Sequence, residues 1–227
     1  MFLHIPQVLS PSQLISINRA LGQADAPWVD GRVTAGHQGA AVKRNQQLQE
    51  SSQASKECGN LILMALEHNA LFVSATLPHR VYPVMFNRYC EGMQFGDHVD
   101  GSIRILPTGQ KLRTDLSATV FLSPPASYEG GELVVENDFT SQTIKLEAGD
   151  VVVYSAASRH RVNPVTRGAR LAAVFWVQSL VRGDFERLQL FELDRTIQKL
   201  TELKADAQSL LRLTAHYHSL LRLWSDT

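Results

Sequence analysis

The sequence predicts an α+β chain: a barrel or jelly roll of short strands in the middle, with helices at both ends. Three observations carry this. From about residue 78 to 180, β-branched and aromatic runs alternate with turn residues at short intervals, the pattern of an all-β layer. Before that stretch, apolar residues recur at helical spacing; after Gly183 they do so again, with few breakers. The chain accordingly divides into an N-terminal helical region packed on the core (1–77), a strand-rich unit (78–180) and a C-terminal helical extension (181–227). No internal repeat and no Pro/Gly/Ser-rich linker separates them.

Taken in order, Ser10-Pro11-Ser12 before Leu14, Ile15, Ile17 and Leu21 reads as a helix with Ser10 as N-cap and Pro11 at its first position. Residues 26–40, with Pro27, Trp28, Gly31, Gly36 and Gly39, read as turns or short strands, and Gly36-His37-Gln38-Gly39 as an exposed polar turn. Val42 to Leu71 reads as one helix, polar to Ser55 and then apolar. Val84–Tyr89 and Asp115–Leu122 are strands; Glu132–Glu136 and Thr143–Leu146 form a hairpin. Gly149-Asp150 is a turn launching Val151–Tyr154, and Arg161-Val162 leads through Gly168 into Leu171–Val177. Leu188 to Leu203 and Leu210 to Trp224 make two amphipathic helices, placed either over the outside of the barrel or in a subunit contact.

Composition narrows the class. The 227 residues are 44% hydrophobic and 19% charged, an ordinary globular balance. Lys+Arg and Asp+Glu both count 22, so no basic field calls for nucleic acid. Two cysteines, Cys58 and Cys90, do not make a disulfide framework and read as buried thiols in a reducing compartment. The start lacks a signal-peptide pattern and no run approaches 18 apolar residues, so the expectation is a soluble cytoplasmic protein without membrane or nucleic-acid partners.

Chemistry concentrates at Phe95-Gly96-Asp97-His98-Val99-Asp100-Gly101. On a strand, the period of two turns His98 and Asp100 to one face. An imidazole beside a carboxylate is two-thirds of the two-histidine, one-carboxylate set that holds Fe(II) with open positions. A lone H-x-D is common by chance. The order of elements raises its weight: Tyr89 on a strand, the turn Glu91-Gly92, the H-x-D, several strands, then His160 and, ten residues later, Arg170. If Thr166 and Arg167 centre a hairpin, His160 pairs near Ala173 and Arg170 lies roughly 10 Å away along the neighbouring strand. A five-carbon dicarboxylate spans that distance, and the planar guanidinium suits its far carboxylate. Without His160, Arg170 would read as a surface ion-pair partner.

The pattern Asn87-Arg88-Tyr89, Gly92, Phe95, His98-Val99-Asp100, Glu129-Gly130-Gly131-Glu132-Leu133, Gly149-Asp150, His160-Arg161-Val162, Pro164-Val165, Gly168 and Arg170 resembles the Fe(II)/2-oxoglutarate-dependent dioxygenases. Within them it is most similar to the prolyl 4-hydroxylase branch and its bacterial PKHD-type hydroxylases, over about residues 80–178. The resemblance implies a double-stranded β-helix (jelly-roll) core as the dioxygenase unit. It makes His98, Asp100 and His160 the iron ligands and catalytic centre, Arg170 the partner of the distal carboxylate of 2-oxoglutarate, and Tyr89 a hydrogen-bonding partner of that cosubstrate. It also implies O2, release of succinate and CO2, and L-ascorbate. The substrate is an amino-acid residue, a peptide-like molecule or an iron-chelating compound, with nothing in the residues choosing between them.

Two other readings stand beside this one: a non-catalytic jelly-roll protein that binds or senses a metal or small acid, and a cupin-type enzyme with another metal and no 2-oxoglutarate. Tyr89 also reads as core packing. His216 and His218 sit at i and i+2 of a helix and diverge; His4, His37, His68 and His79 lack partners at ligand spacing. Arg104, Lys111 and Arg113 fall in a segment, 101–114, that reads as a solvated loop or, beside a metal site, as a lid. The C-terminal helices are the candidate surface for a homo-oligomer.

Overall fold

The computed structural model describes residues 2–136 and 140–226, with His37 and Gln38 described by their backbone alone. Two antiparallel sheets lie face to face. Across the larger runs the order Phe2–Ile5, Val151–Ser155, Leu116–Phe121, Val165–Ser179, Met85–Cys90, Gln46–Leu48 and Trp28–Asp30, with Tyr128–Gly130 and Pro78–Val81 also paired to the long strand Val165–Ser179. The smaller runs Ser141–Ile144, Leu133–Glu136, Arg159–Val162, Gln94–His98 and Lys43–Arg44. Every register pair among them is antiparallel, giving the jelly-roll core.

Period-two alternation assigns the two faces of the larger sheet. Leu116, Ala118, Val120, Val151, Val153, Ala173 and Phe175 point outward into a core shared with Ile17, Leu21, Ile62, Leu66 and Phe72 of the helices. Phe121, Val152, Tyr154 and Tyr89 point inward, where they meet Leu133, Val135, Ile144 and Val162 of the smaller sheet. Both faces of the larger sheet are therefore covered, so Leu116–Phe121 is buried at every position instead of alternating.

The first helix, Pro11–Leu21, begins as the sequence predicts, with a reciprocal capping box between Ser10 and Gln13. The next region departs from expectation. Val42 to Leu71 is not one helix: Lys43–Arg44 and Gln46–Leu48 are strands, and the helices are Gln53–Glu67 and Ala70–Thr76. Gln46 and Gln47 pair with Arg88 and Asn87, while Lys43 pairs with Phe95, so sheet edges recruit a polar stretch of which Lys43, Asn45 and Gln47 become buried. The tetrad Gly36–Gly39 opens a short helix, His37–Val42, and is no free turn.

Segment 101–114 is likewise ordered, as the hairpin Ile103–Ile105 and Lys111–Arg113, with Leu112 buried beside Tyr82 and Trp176. The C-terminal helices Asp184–Glu202 and Ala207–Trp224 pack over Leu77 and Val181 through Leu190 of the first and Tyr217, Leu220 and Trp224 of the second. Ser74 donates to Asp194 at 2.5 Å, and Arg113 pairs with Asp226 at 3.1 Å, tying the extension to the body. Among the described residues, no single helix is long and apolar enough to cross a membrane. Cys58 is buried as expected, but Cys90 is only half-buried; both are free.

Candidate active site

His98 and His160 meet because their strands are neighbours: His160 pairs directly with His98 on one side and with Val135 on the other. The strand ends at His98, so Asp100 is not on it, as the strand reading required; it lies two residues beyond. There its Oδ2 accepts a 2.5 Å hydrogen bond from Ser117 of the opposite sheet. One ligand atom each from His98, Asp100 and His160 lies within 4.8 Å of the others, and His160 Nε2 is 3.7 Å from Asp100 Oδ2.

The backbone orients both imidazoles. His98 Nδ1 is 2.8 Å from the Gly96 carbonyl and His160 Nδ1 is 3.0 Å from that of Ser158. With Nδ1–H donating to those oxygens, each Nε2 keeps its lone pair for a metal. Phe95 stacks on His98 at 3.5 Å between ring centroids, and Tyr154 meets His160 edge-on at 5.2 Å. Burial, reinforced by His160, lowers the His98 pKa to about 4, so the imidazole is neutral, the state that ligation demands.

Arg170 is not where a His160–Ala173 hairpin would put it. The chain turns earlier, at Asn163-Pro164, and changes sheets there: His160 stays in the smaller sheet, while Arg170 pairs with Tyr89 in the larger. Pro164 has no N–H to continue a ladder, and its carbonyl accepts instead from Gly131 at 3.1 Å. Gly168, expected in the turn, instead sits within the long strand opposite Tyr128 at φ +77°. Arg170 and His160 nevertheless face one cavity of about 480 Å³ from opposite sheets.

Arg170 is 2% exposed, between the rings of Tyr89 and Phe121, each 5.4 Å from its guanidinium carbon. Its Nε has no hydrogen-bond partner and, among the described residues, no carboxylate forms an ion pair with it. A buried guanidinium without its anion fits a cavity that receives a diacid. Tyr89 also lines the cavity, and burial raises its phenol pKa above the ordinary value.

Ser117 and the carbonyls of Gly96 and Ser158 escaped sequence reasoning. A serine on an apolar strand carries no signal of its role until the opposing sheet is known. Lys43 and Arg104 also line the cavity. Elsewhere, His4 pairs with Asp150 at 2.7 Å, His68 caps its own helix on Met64, and His216 and His218 lie in the last helix.

A jelly roll with a His/Asp/His cluster opposite a buried arginine defines a class, and the comparisons agree. Residues 84–178 match the 2OG-Fe(II) oxygenase superfamily, and residues 184–226 match the PKHD-type hydroxylase C-terminal domain. A PKHD-type hydroxylase of Paraburkholderia phytofirmans is 56% identical over 227 residues, covering 100% of both chains. The chain belongs to the PKHD-type hydroxylases of the 2OG-Fe(II) oxygenase superfamily. Among solved structures, a Pseudomonas putida prolyl-4-hydroxylase shares the fold at TM-score 0.53 and 18% identity, over 78% of this chain and 92% of that one. A Trichoplax adhaerens prolyl hydroxylase, solved with a hypoxia inducible factor peptide fragment, does so at TM-score 0.55 and 14% identity, over 78% and 82%. The family implies Fe(II), 2-oxoglutarate, O2 and a small-molecule or peptide substrate.

Proposed function

We propose that this hydroxylase holds Fe(II) with His98, Asp100 and His160, binds the distal carboxylate of 2-oxoglutarate with Arg170, and uses Tyr89 as a hydrogen-bonding partner of that cosubstrate. The observation that carries the reading is the pairing, in one cavity, of three convergent donors with an arginine lacking an anion. The donor set suits Fe(II): two imidazoles and one carboxylate, clustered so that the remaining positions stay free. Bound there, iron supplies the O2-activating redox chemistry by which the family couples loss of CO2 from 2-oxoglutarate to hydroxylation.

The chain's own residues do the rest. The Gly96 and Ser158 carbonyls hold the imidazoles in one tautomer, Ser117 orients Asp100, and the Phe95 and Tyr154 rings exclude water beside the histidines. Residues 78–180 are the catalytic unit in this reading, with 1–77 completing its walls and 181–227 as an extension. L-ascorbate as a reductant, a cytoplasmic location, a homo-oligomer through the C-terminal helices, and the absence of nucleic-acid and membrane partners complete it. A peptide substrate is supported by the Trichoplax relative's bound peptide.

The test is succinate formation when anaerobic protein carrying Fe(II) and 2-oxoglutarate is given O2 without primary substrate. Slow turnover that stops in Asp100→Ala is expected. Intact binding of metal and 2-oxoglutarate with no succinate would make this a binding protein instead.

A further inference from the structure

The cavity contains a second cationic site that the iron and cosubstrate reading does not use. Lys43 is 6% exposed, yet it lines the cavity; its strand pairs with the Phe95 strand, on the opposite sheet from Arg170. Several contacts build it in. Its stem crosses Gly31 so closely that a Cβ there would lie 3.1 Å from Lys43 Cε, and its Nζ lies 5.1 Å from the Phe95 ring centroid. Nζ donates to Gln47 Oε1 at 3.3 Å, an oxygen that Thr34 also holds, at 2.6 Å. An ammonium has three protons to donate. Among the described residues, Gln47 takes the only hydrogen bond from it and no carboxylate forms an ion pair with it.

Its neighbour worsens the imbalance. Arg104, on the hairpin that borders the cavity, stacks on Trp176 at 3.8 Å and is close enough to repel Lys43. Desolvation first, and Arg104 second, lower the Lys43 pKa to about 8 against the smaller opposing pulls of Asp100, Glu50 and Asp30, which still leaves it charged at neutral pH. Two neighbouring cations in a half-dry cavity are relieved by an anion that lies between them. Around them Val99 and Ile103, which line the cavity, stand exposed, an apolar rim beside a positive interior.

We propose that Lys43, with Arg104 beside it, receives a carboxylate of the primary substrate, so that the molecule hydroxylated is an organic acid whose apolar part rests on Val99 and Ile103. This rests on the reading of the same cavity as the iron and 2-oxoglutarate site. It assigns 2-oxoglutarate to Arg170 and the substrate's acid to Lys43, two cations on opposite sheets.

The test uses holoprotein saturated with Fe(II) and 2-oxoglutarate under anaerobic conditions, with hippurate as an apolar carboxylate probe and hippuramide as its neutral twin. Calorimetry should show wild type binding hippurate about tenfold or more tighter than hippuramide, as expected for a charge partner met in a desolvated site. Lys43→Met should abolish that preference without moving hippuramide affinity or the 2-oxoglutarate half-saturation, and Lys43→Arg should keep it. No preference in wild type, including binding of neither probe, overturns the proposal without need of a variant. So does a preference that survives in Lys43→Met, or a 2-oxoglutarate half-saturation that rises with it. The same preparations are then given O2: succinate without anion preference sinks this inference alone, whereas absence of succinate sinks the catalytic reading beneath it.

Discussion

Replacing Arg170 by Met separates a ligand-binding arginine from a structural one, because the two roles predict opposite stability changes. Met keeps the length of the stem between Tyr89 and Phe121, so little packing is lost. What goes is a charge that is 2% exposed and, among the described residues, has no carboxylate in an ion pair with it. Removing a desolvated, unpaired charge is neutral or stabilising, by up to about 4 kcal/mol. With 2-oxoglutarate bound, the same guanidinium makes hydrogen bonds to a carboxylate, worth about 1.5–3 kcal/mol each. Losing about 3 kcal/mol raises the 2-oxoglutarate half-saturation roughly 10²-fold. Urea unfolding of metal-free, ligand-free protein measures the first quantity; succinate formation against 2-oxoglutarate concentration measures the second. The reasoning fails if Arg170→Met unfolds more than about 2 kcal/mol more easily while its 2-oxoglutarate requirement stays at the wild-type value.

Three further outcomes follow from the geometry. Ser117→Ala removes the donor to Asp100 Oδ2 and should weaken Fe(II) binding about 10–100-fold in a metal titration while leaving the fold intact; unchanged affinity would show that Asp100 needs no such support. Gly130→Ala places a Cβ 2.1 Å from the Pro164 carbonyl oxygen at φ +69°, where the left-handed conformation alone costs about 1–2 kcal/mol; unfolding midpoints should fall by more than that implies. Metal added to chelator-treated protein should raise the thermal midpoint in wild type and not in Asp100→Ala, read by scanning calorimetry, since a ligand that binds only the folded state stabilises it.

The parts of the fold legible in the sequence are those whose pattern is local. Ser10-Pro11 announces a helix start because a cap and its first turn are built within four residues. Most of the strands between Met85 and Val177, the 101–114 hairpin excepted, are legible from β-branched runs and turn residues, and both C-terminal helices from apolar spacing. Residues 42–52 were misleading for the same reason. Lys-Arg-Asn-Gln-Gln has no β-pattern of its own; it becomes strand because Phe95 and Asn87 offer unpaired sheet edges. The segment 101–114 gained order through Leu112, whose burial against Tyr82 and Trp176 depends on a sheet formed elsewhere.

By itself the sequence determined the donor types: an H-x-D, a later histidine and an arginine ten residues beyond, in an order of elements that belongs to one family. It also determined that a jelly roll would carry them. Only the tertiary structure decided how they meet. His160 lies beside His98, not beside Ala173, because the chain crosses between sheets at Asn163-Pro164. That crossing puts Arg170 on the opposite wall of the cavity, and Asp100 reaches the imidazoles from beyond its strand with Ser117 holding it. Lys43 enters the same space from the N-terminal region, through an edge pairing that no local pattern announces. The physical reason is common to all four: residue chemistry is written position by position, whereas convergence depends on which sheet each strand joins, and that is settled by burial of faces far apart in the chain.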